Sequence, residues 1–148
     1  MKKALIGAGC FWGVEEYYRI LNGVTDTKVG FSGGNIANPS YEDVCNGTTK
    51  HAEVVKIEFD EKLISYKEII AHFWLCHDPS QLNQQGLDIG SQYRSVIFYY
   101  SDDQKKIAQQ SKVDNQIFFD KKIVTEIIKL SEFYLAEDYH QLYIKKRA

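Results

Sequence analysis

The change of apolar period between residues 51 and 73 constrains the fold of this chain more than any other feature. From His51 to Phe59 the odd positions Val55, Ile57 and Phe59 are apolar, the two-residue repeat of a strand with one face in a core. Shortly afterwards Ser65 and Glu68 frame the start of Tyr66, Ile69, Ile70 and Phe73, a capping box opening a helix with one apolar stripe. The same switch recurs along the chain. Residues 3–8 read as a buried strand, and Val14, Tyr17, Tyr18 and Leu21 fall at helical spacing before Asn22-Gly23. Val24 to Phe31 reads as a strand, Ser32 to Pro39 as a loop, and Ser40 with Asp43 as the cap of a short helix stopped by Gly47. Tyr93 to Tyr100 is a further strand, and Ser101 with Gln104 starts a helix towards Gln116. Ile123 to Ile128 is a candidate last strand and Ala136 to Lys146 a closing helix, acids first and bases last. The order is not a strict βαβα alternation. The expectation is an α+β fold, a two-layer sandwich with helices packed over a mixed or antiparallel sheet. No repeat or linker interrupts it, so residues 1–148 are expected to form a single domain.

Composition narrows the function classes. With 44% hydrophobic and 26% charged residues the chain matches an ordinary globule. A net charge of −2 supplies no field for nucleic acid, and the basic cluster Lys145-Lys146-Arg147 suits a helix C-terminus. Three cysteines make no closed disulfide set, and none lies in a CxxC pair. The sequence shows no signal peptide and no apolar run of membrane-span length, so a cytoplasmic protein without membrane contact is expected. A monomer is the working expectation.

Cys10 stands where the apolar run Ala4-Leu5-Ile6-Gly7-Ala8 hands over to a helix, within Gly9-Cys10-Phe11-Trp12. There the unpaired N–H groups of the first helical turn favour the thiolate and lower its pKa, while Phe11 and Trp12 wall the sulfur with apolar surface. The alternative is a small buried hydrophobe, the usual fate of free cysteine. Glu15 and Glu16 oppose the thiolate mildly.

Glu53 shares the core face of its strand with Val55, Ile57 and Phe59, so burial should raise its pKa and leave a proton to give. A glutamate turned to solvent at the strand end is the competing reading. His51 lies on the same face, able to bond Glu53 or to shape the neighbouring loop. Tyr41 and Tyr93 carry hydroxyls near loop junctions, where packing is the commoner role. Asp88 sits between Gly86 and Gly90 in the polar, aperiodic segment His77 to Gln92, and long loops of this kind usually carry function. Burial is the default for Cys45 and Cys76.

Several blocks then resemble one family. Gly9-Cys10-Phe11-Trp12-Gly13, Gly30-Phe31-Ser32-Gly33-Gly34, Asn38-Pro39-Ser40-Tyr41 and Val44-Cys45-Asn46-Gly47-Thr48-Thr49 with His51-Ala52-Glu53 resemble the A class of peptide methionine sulfoxide reductases. The resemblance continues through Phe73-Trp74, His77-Asp78-Pro79 and Gln81-Leu82-Asn83-Gln84-Gln85-Gly86. It ends with Asp88-Ile89-Gly90-Ser91-Gln92-Tyr93-Arg94-Ser95, Phe133-Tyr134 and Ala136-Glu137-Asp138-Tyr139-His140-Gln141. The resemblance implies a ferredoxin-like core and reduction of methionine S-sulfoxide, free or in proteins. It makes Cys10 the attacking thiolate that becomes a sulfenic acid and Glu53 the acid that protonates the oxygen. Tyr41 and Tyr93 donate to that oxygen, Phe11 and Trp12 hold the methyl, and Asp88 organises polar groups nearby. Protein repair under oxidative stress is the implied role, with no bound cofactor or metal.

Many members of that family reset the thiol through cysteines in a C-terminal tail, and no cysteine follows Cys76 here. Cys45 or Cys76 could resolve the sulfenic acid. Direct reduction by thioredoxin or a small thiol is the favoured expectation, because both cysteines fall in helical segments. A thiol peroxidase, or a metal module built on Cys45, His51, Cys76 and His77, explains the ordered blocks less well, and those spacings fit no common zinc pattern.

Overall fold

A computed structural model describes residues 2–147. Its centre is the unit begun by β1 (Lys2–Ala8), α1 (Phe11–Arg19) and β2 (Val24–Ser32), followed by the short α2 (Tyr41–Cys45), β3 (Ala52–Phe59) and α3 (Tyr66–Leu75). A hairpin of two-residue strands, β4 (Gln84–Gln85) and β5 (Asp88–Ile89), interrupts the long polar segment before β6 (Ser95–Tyr99). Then come α4 (Asp102–Asn115), β7 (Glu126–Lys129), β8 (Phe133–Leu135) and α5 (Tyr143–Arg147). The main sheet has six strands in the order β7-β6-β1-β3-β2-β8. Its neighbours are antiparallel except β6 and β7, which run parallel. The expected α+β character and mixed sheet are present.

The sheet is buried on both sides at its centre. Ile6, Val29, Phe31, Val55, Ile57 and Ile97 face one core with Phe11 and Tyr18 of α1, Ile69 and Phe73 of α3, and Ala108 of α4. Leu5, Val54, Val96 and Phe98, at alternate positions, form a second cluster under Leu130 and Phe133. This double cover explains why Ala52 to Val55 are all buried and lose the clean alternation seen further along β3. Polar links tie the helix layer together: Tyr18 donates to the Ile69 carbonyl at 2.9 Å, and the Trp74 indole N–H to Ser111 at 2.8 Å. Among the described residues, no helix is long and apolar enough to cross a membrane.

Both expected capping boxes are formed, at Ser40–Asp43 and Ser65–Glu68. Three expectations need correction. Tyr93 ends a 3-10 turn, Ser91–Tyr93, and the strand begins only at Ser95. Ile123 is fully buried but outside the strand, which starts at Glu126. The expected closing helix from Ala136 to Lys146 is broken into a 3-10 turn, Asp138–His140, and α5, with Leu142 between them at φ 53. The cause is tertiary. Gln141 accepts the Val29 N–H at 2.8 Å and donates to the Val29 carbonyl at 2.9 Å and that of Ala136 at 3.1 Å. Docking on β2 thus replaces continuation of the helix.

Candidate active site

Cys10 caps the N-terminus of α1, with extended backbone at φ −56 and ψ 122. Gly9 before it has φ 100, and a Cβ there would lie 2.9 Å from the Gln85 side chain. Only glycine lets the β4–β5 hairpin close against the turn that presents Cys10. The thiol is half-buried, and burial pushes its pKa up to about 11. The N–H groups of Trp12 and Gly13 favour the thiolate as the helix argument requires, but the sulfur completes no capping hydrogen bond. Desolvation wins, and the negative charges of Glu53 and Asp88 add to it. The expectation of a lowered Cys10 pKa is therefore corrected: the resting group is a thiol.

Glu53 lies across from this turn on β3, paired with Phe31 of β2. It is only 1% exposed. One carboxyl oxygen accepts the Phe11 N–H at 3.2 Å, and the other, also buried, has no partner among the described residues. Burial raises its pKa from 4.5 to about 7, against the opposing Phe11 bond. A buried carboxyl oxygen without a partner is uncommon, and burial of this kind favours the protonated form.

Aromatic groups close the site. Phe11 is fully buried, its ring centroid 5.7 Å from Phe31, 6.2 Å from Tyr41 and 5.3 Å from His140. Trp12 is half-buried; its indole N–H donates to His140 Nδ1 at 2.9 Å, and Tyr143 stacks on it at 3.8 Å. Tyr41 opens α2, its N–H held by the Glu137 carboxylate at 3.1 Å, and, after burial, the Cys45 thiol near its hydroxyl contributes to its raised pKa. Burial raises the Tyr41 pKa, and raises that of Tyr93 to about 12. Glu53, Cys45, Asp88 and Cys10 lie close enough to Tyr93 for their charges to raise it further. Cys10, Glu53, Tyr41, Tyr93 and Asp88 thus lie near enough for charges among them to shift one another's pKa values, though they come from separate elements.

The other thiols differ from expectation. Cys45 is exposed rather than buried. It sits at the free end of a helix of five residues, too short to cover it. Cys76 is half-buried at the end of α3, where its thiol donates to the Phe73 carbonyl at 3.3 Å and burial pushes its pKa up to about 12. It borders a cleft with Leu75, His77 and Phe118, which Cys10 does not line. His51 takes the loop-shaping alternative: Nδ1 accepts the Gly34 N–H at 2.9 Å, and Nε2–H donates to the Ile36 carbonyl at 2.7 Å. Among the described residues, no three metal-ligating side chains come together.

Glu137, His140 and Tyr143 went unassigned in the sequence. Glu137 and His140 lie in the segment Ala136 to Gln141, whose spacing alone carries no role, because their contacts cross about a hundred residues of chain.

This geometry has relatives. The family model described as peptide methionine sulfoxide reductase matches residues 2–148. The chain is 51% identical over 149 aligned residues to "Peptide methionine sulfoxide reductase MsrA" of Methanosarcina acetivorans, covering 99% of this chain and 79% of that protein. Its structure is similar to that of reduced Mxr1 from Saccharomyces cerevisiae, with a TM-score of 0.94, 40% identity, and coverage of 98% of this chain and 84% of that one. Mxr1 in complex with Trx2 is also similar, with a TM-score of 0.67, 29% identity, and coverage of 96% and 84%. The chain belongs to the peptide methionine sulfoxide reductase family, and it is an oxidoreductase.

Proposed function

We propose that Cys10 reduces the S epimer of methionine sulfoxide, free or in proteins, with Glu53 as the acid. One observation carries the reading: a carboxyl group held near neutral pKa, with one unpartnered buried oxygen, beside a half-buried cysteine. A sulfoxide is neutral and dipolar, so its methyl suits the Trp12 side of the site and its oxygen suits the donors. Phe11, fully buried, forms the floor beneath that wall. Tyr41 and Tyr93 keep their phenol protons, because their pKa values are raised, and they donate to the oxygen. The Cys10 thiolate attacks the sulfoxide sulfur while Glu53 protonates the oxygen. The oxygen passes to Cys10, the bond between it and the methionine sulfur breaks, and methionine leaves. Thiolate, sulfoxide and one proton give sulfenic acid and thioether, so charge and atoms balance. Without the proton the step would expel a very poor leaving group.

Two external thiols then return Cys10 to the thiol: the first displaces water to form a mixed disulfide, the second releases it as a disulfide. The complex of Mxr1 with Trx2 supports a thioredoxin-like reductant in this role. The strand order β6-β1-β3-β2 with α1 and α3 on one face supports a two-layer, ferredoxin-like core. Repair of oxidised proteins by a cytoplasmic monomer completes the reading. The test is to react the protein, without reductant, with each sulfoxide epimer and to trap sulfenic acid for mass spectrometry. Trapping at Cys10 with the S epimer alone is expected. Trapping with the R epimer, or at another cysteine, overturns the proposal.

A further inference from the structure

Glu15 is 1% exposed in α1, yet the chemistry above does not use it. Both of its carboxylate oxygens are engaged. Thr27 Oγ1 donates to one at 2.7 Å, and the backbone N–H of Leu142 donates to the other at 2.7 Å. Burial raises its pKa even though both bonds oppose the rise. The residue it holds is unusual: Leu142 stands at φ 53, a left-handed conformation that L side chains rarely adopt. On one side of Leu142, Gln141 is bound to Val29 and Ala136 through three hydrogen bonds. On the other side Tyr143 lies flat on Trp12, with ring centroids 3.8 Å apart and planes 8° from parallel. Arg147 covers the Tyr143 ring in turn, its guanidinium 3.5 Å from the centroid. His140 takes the indole N–H.

Trp12 is therefore gripped on one face by Tyr143 and along its N–H edge by His140. Rings at that spacing admit nothing between them, so a substrate methyl can meet only the opposite face of the indole. The turn that delivers Tyr143 needs an unfavourable backbone conformation, and the Glu15–Leu142 bond acts with the Gln141 bonds to hold it there.

We infer that residues 140–147 form a clamp that sets the position of the Trp12 wall, with Glu15 as its buried anchor and Tyr143 as its contact. Glu15 and Tyr143 are positioning residues; they act on substrate through Trp12. The inference rests on the reading that Trp12 contacts the sulfoxide methyl.

The test measures steady-state kinetics with free methionine S-sulfoxide for E15A, E15Q, Y143A and Y143F, with W12A as reference. Trp12 fluorescence and its quenching by iodide are read in a W74F background, which leaves Trp12 as the sole tryptophan. E15A and Y143A are expected to raise KM roughly tenfold, the usual effect of loosening an apolar pocket around a small group. Their kcat should stay within about threefold, as for lost substrate binding rather than lost chemistry. Iodide quenching of Trp12 should increase in both. E15Q and Y143F should restore KM, because the glutamine carbonyl still accepts the Leu142 N–H and phenylalanine still stacks. Tyr143 is only partly buried, so Y143A tests the clamp even where E15A does not fold. A raised KM in W12A with wild-type KM in Y143A and E15A overturns the clamp and leaves the cage standing. An unchanged KM in W12A overturns the cage reading itself. A fall in kcat at constant KM, with quenching unchanged, also overturns the clamp.

Discussion

The pH profile of a single reduction event tests how Glu53 and Cys10 divide one proton. Their folded pKa values are raised by burial to about 7 and about 11. The proposed reactive form needs the Glu53 carboxyl protonated and Cys10 ionised, so the pair must hold one proton in total. Below pH 7 the pair holds two, and the rate should fall tenfold for each pH unit. Above about 7 the pair has lost one proton, and the rate should stay level until Cys10 itself ionises near 11. On that plateau the gap between the two pKa values leaves the proton mostly on Cys10. The reactive arrangement is a small minority there, and less rare than the four-unit gap implies (about one part in ten thousand), because the Glu53 charge that helps raise Cys10 is absent from it. A carboxyl at its ordinary value of 4.5 would make it roughly three hundred times rarer still, which is the kinetic value of burying Glu53. E53Q cannot give the proton; its rate at pH 7 should fall at least about a hundredfold and then climb with pH as Cys10 ionises. The assay is rapid quench without reductant, scoring loss of the Cys10 thiol on mixing with methionine S-sulfoxide. A wild-type rate that falls above pH 7 would mean that the thiol attacks and would refute this division of the proton. So would an E53Q rate within about threefold of wild type.

Two further outcomes follow from the same geometry. Because folding raises the Glu53 pKa from 4.5 to about 7, the folded state holds a proton that the unfolded state has lost. The stability from this group is full below 4.5 and drains away as pH rises to about 7, by about 3 kcal/mol. Urea unfolding should accordingly show E53Q gaining on wild type between pH 4.5 and pH 8, and a pH-independent difference would contradict the burial argument. C45S and C76S should each retain one stoichiometric reduction and full turnover with thioredoxin. Loss of that turnover with the first event intact would identify the missing cysteine as an internal resolver.

Local chemistry made part of the structure legible. The capping boxes at Ser40 and Ser65 compete with nothing distant, since each satisfies the backbone groups of its own first turn. The core face of β3 was readable for a similar reason, and with it the burial of Glu53. Legibility failed where a contact reached across the chain. The break before α5 depends on Gln141 meeting Val29 of β2 and on Leu142 meeting Glu15 of α1. Glu15 itself read as an acid opposing the helix field on Cys10. Folding instead turned it inward onto Thr27, and it is not among the groups that shift Cys10.

The sequence by itself determined the capped helices and central strands, the family resemblance and the placement of Cys10 at a strand-to-helix turn, because period and capping are properties of neighbouring residues. Tertiary structure alone decided the protonation of the site. A helix N-terminus argues for a thiolate, and the sequence contains that argument in full. Whether desolvation outweighs it depends on how many distant groups close around the sulfur. Here burial, with the charges of Glu53 and Asp88 added, outweighs the helix N–H groups and raises the Cys10 pKa, while burial raises that of Glu53 to about 7.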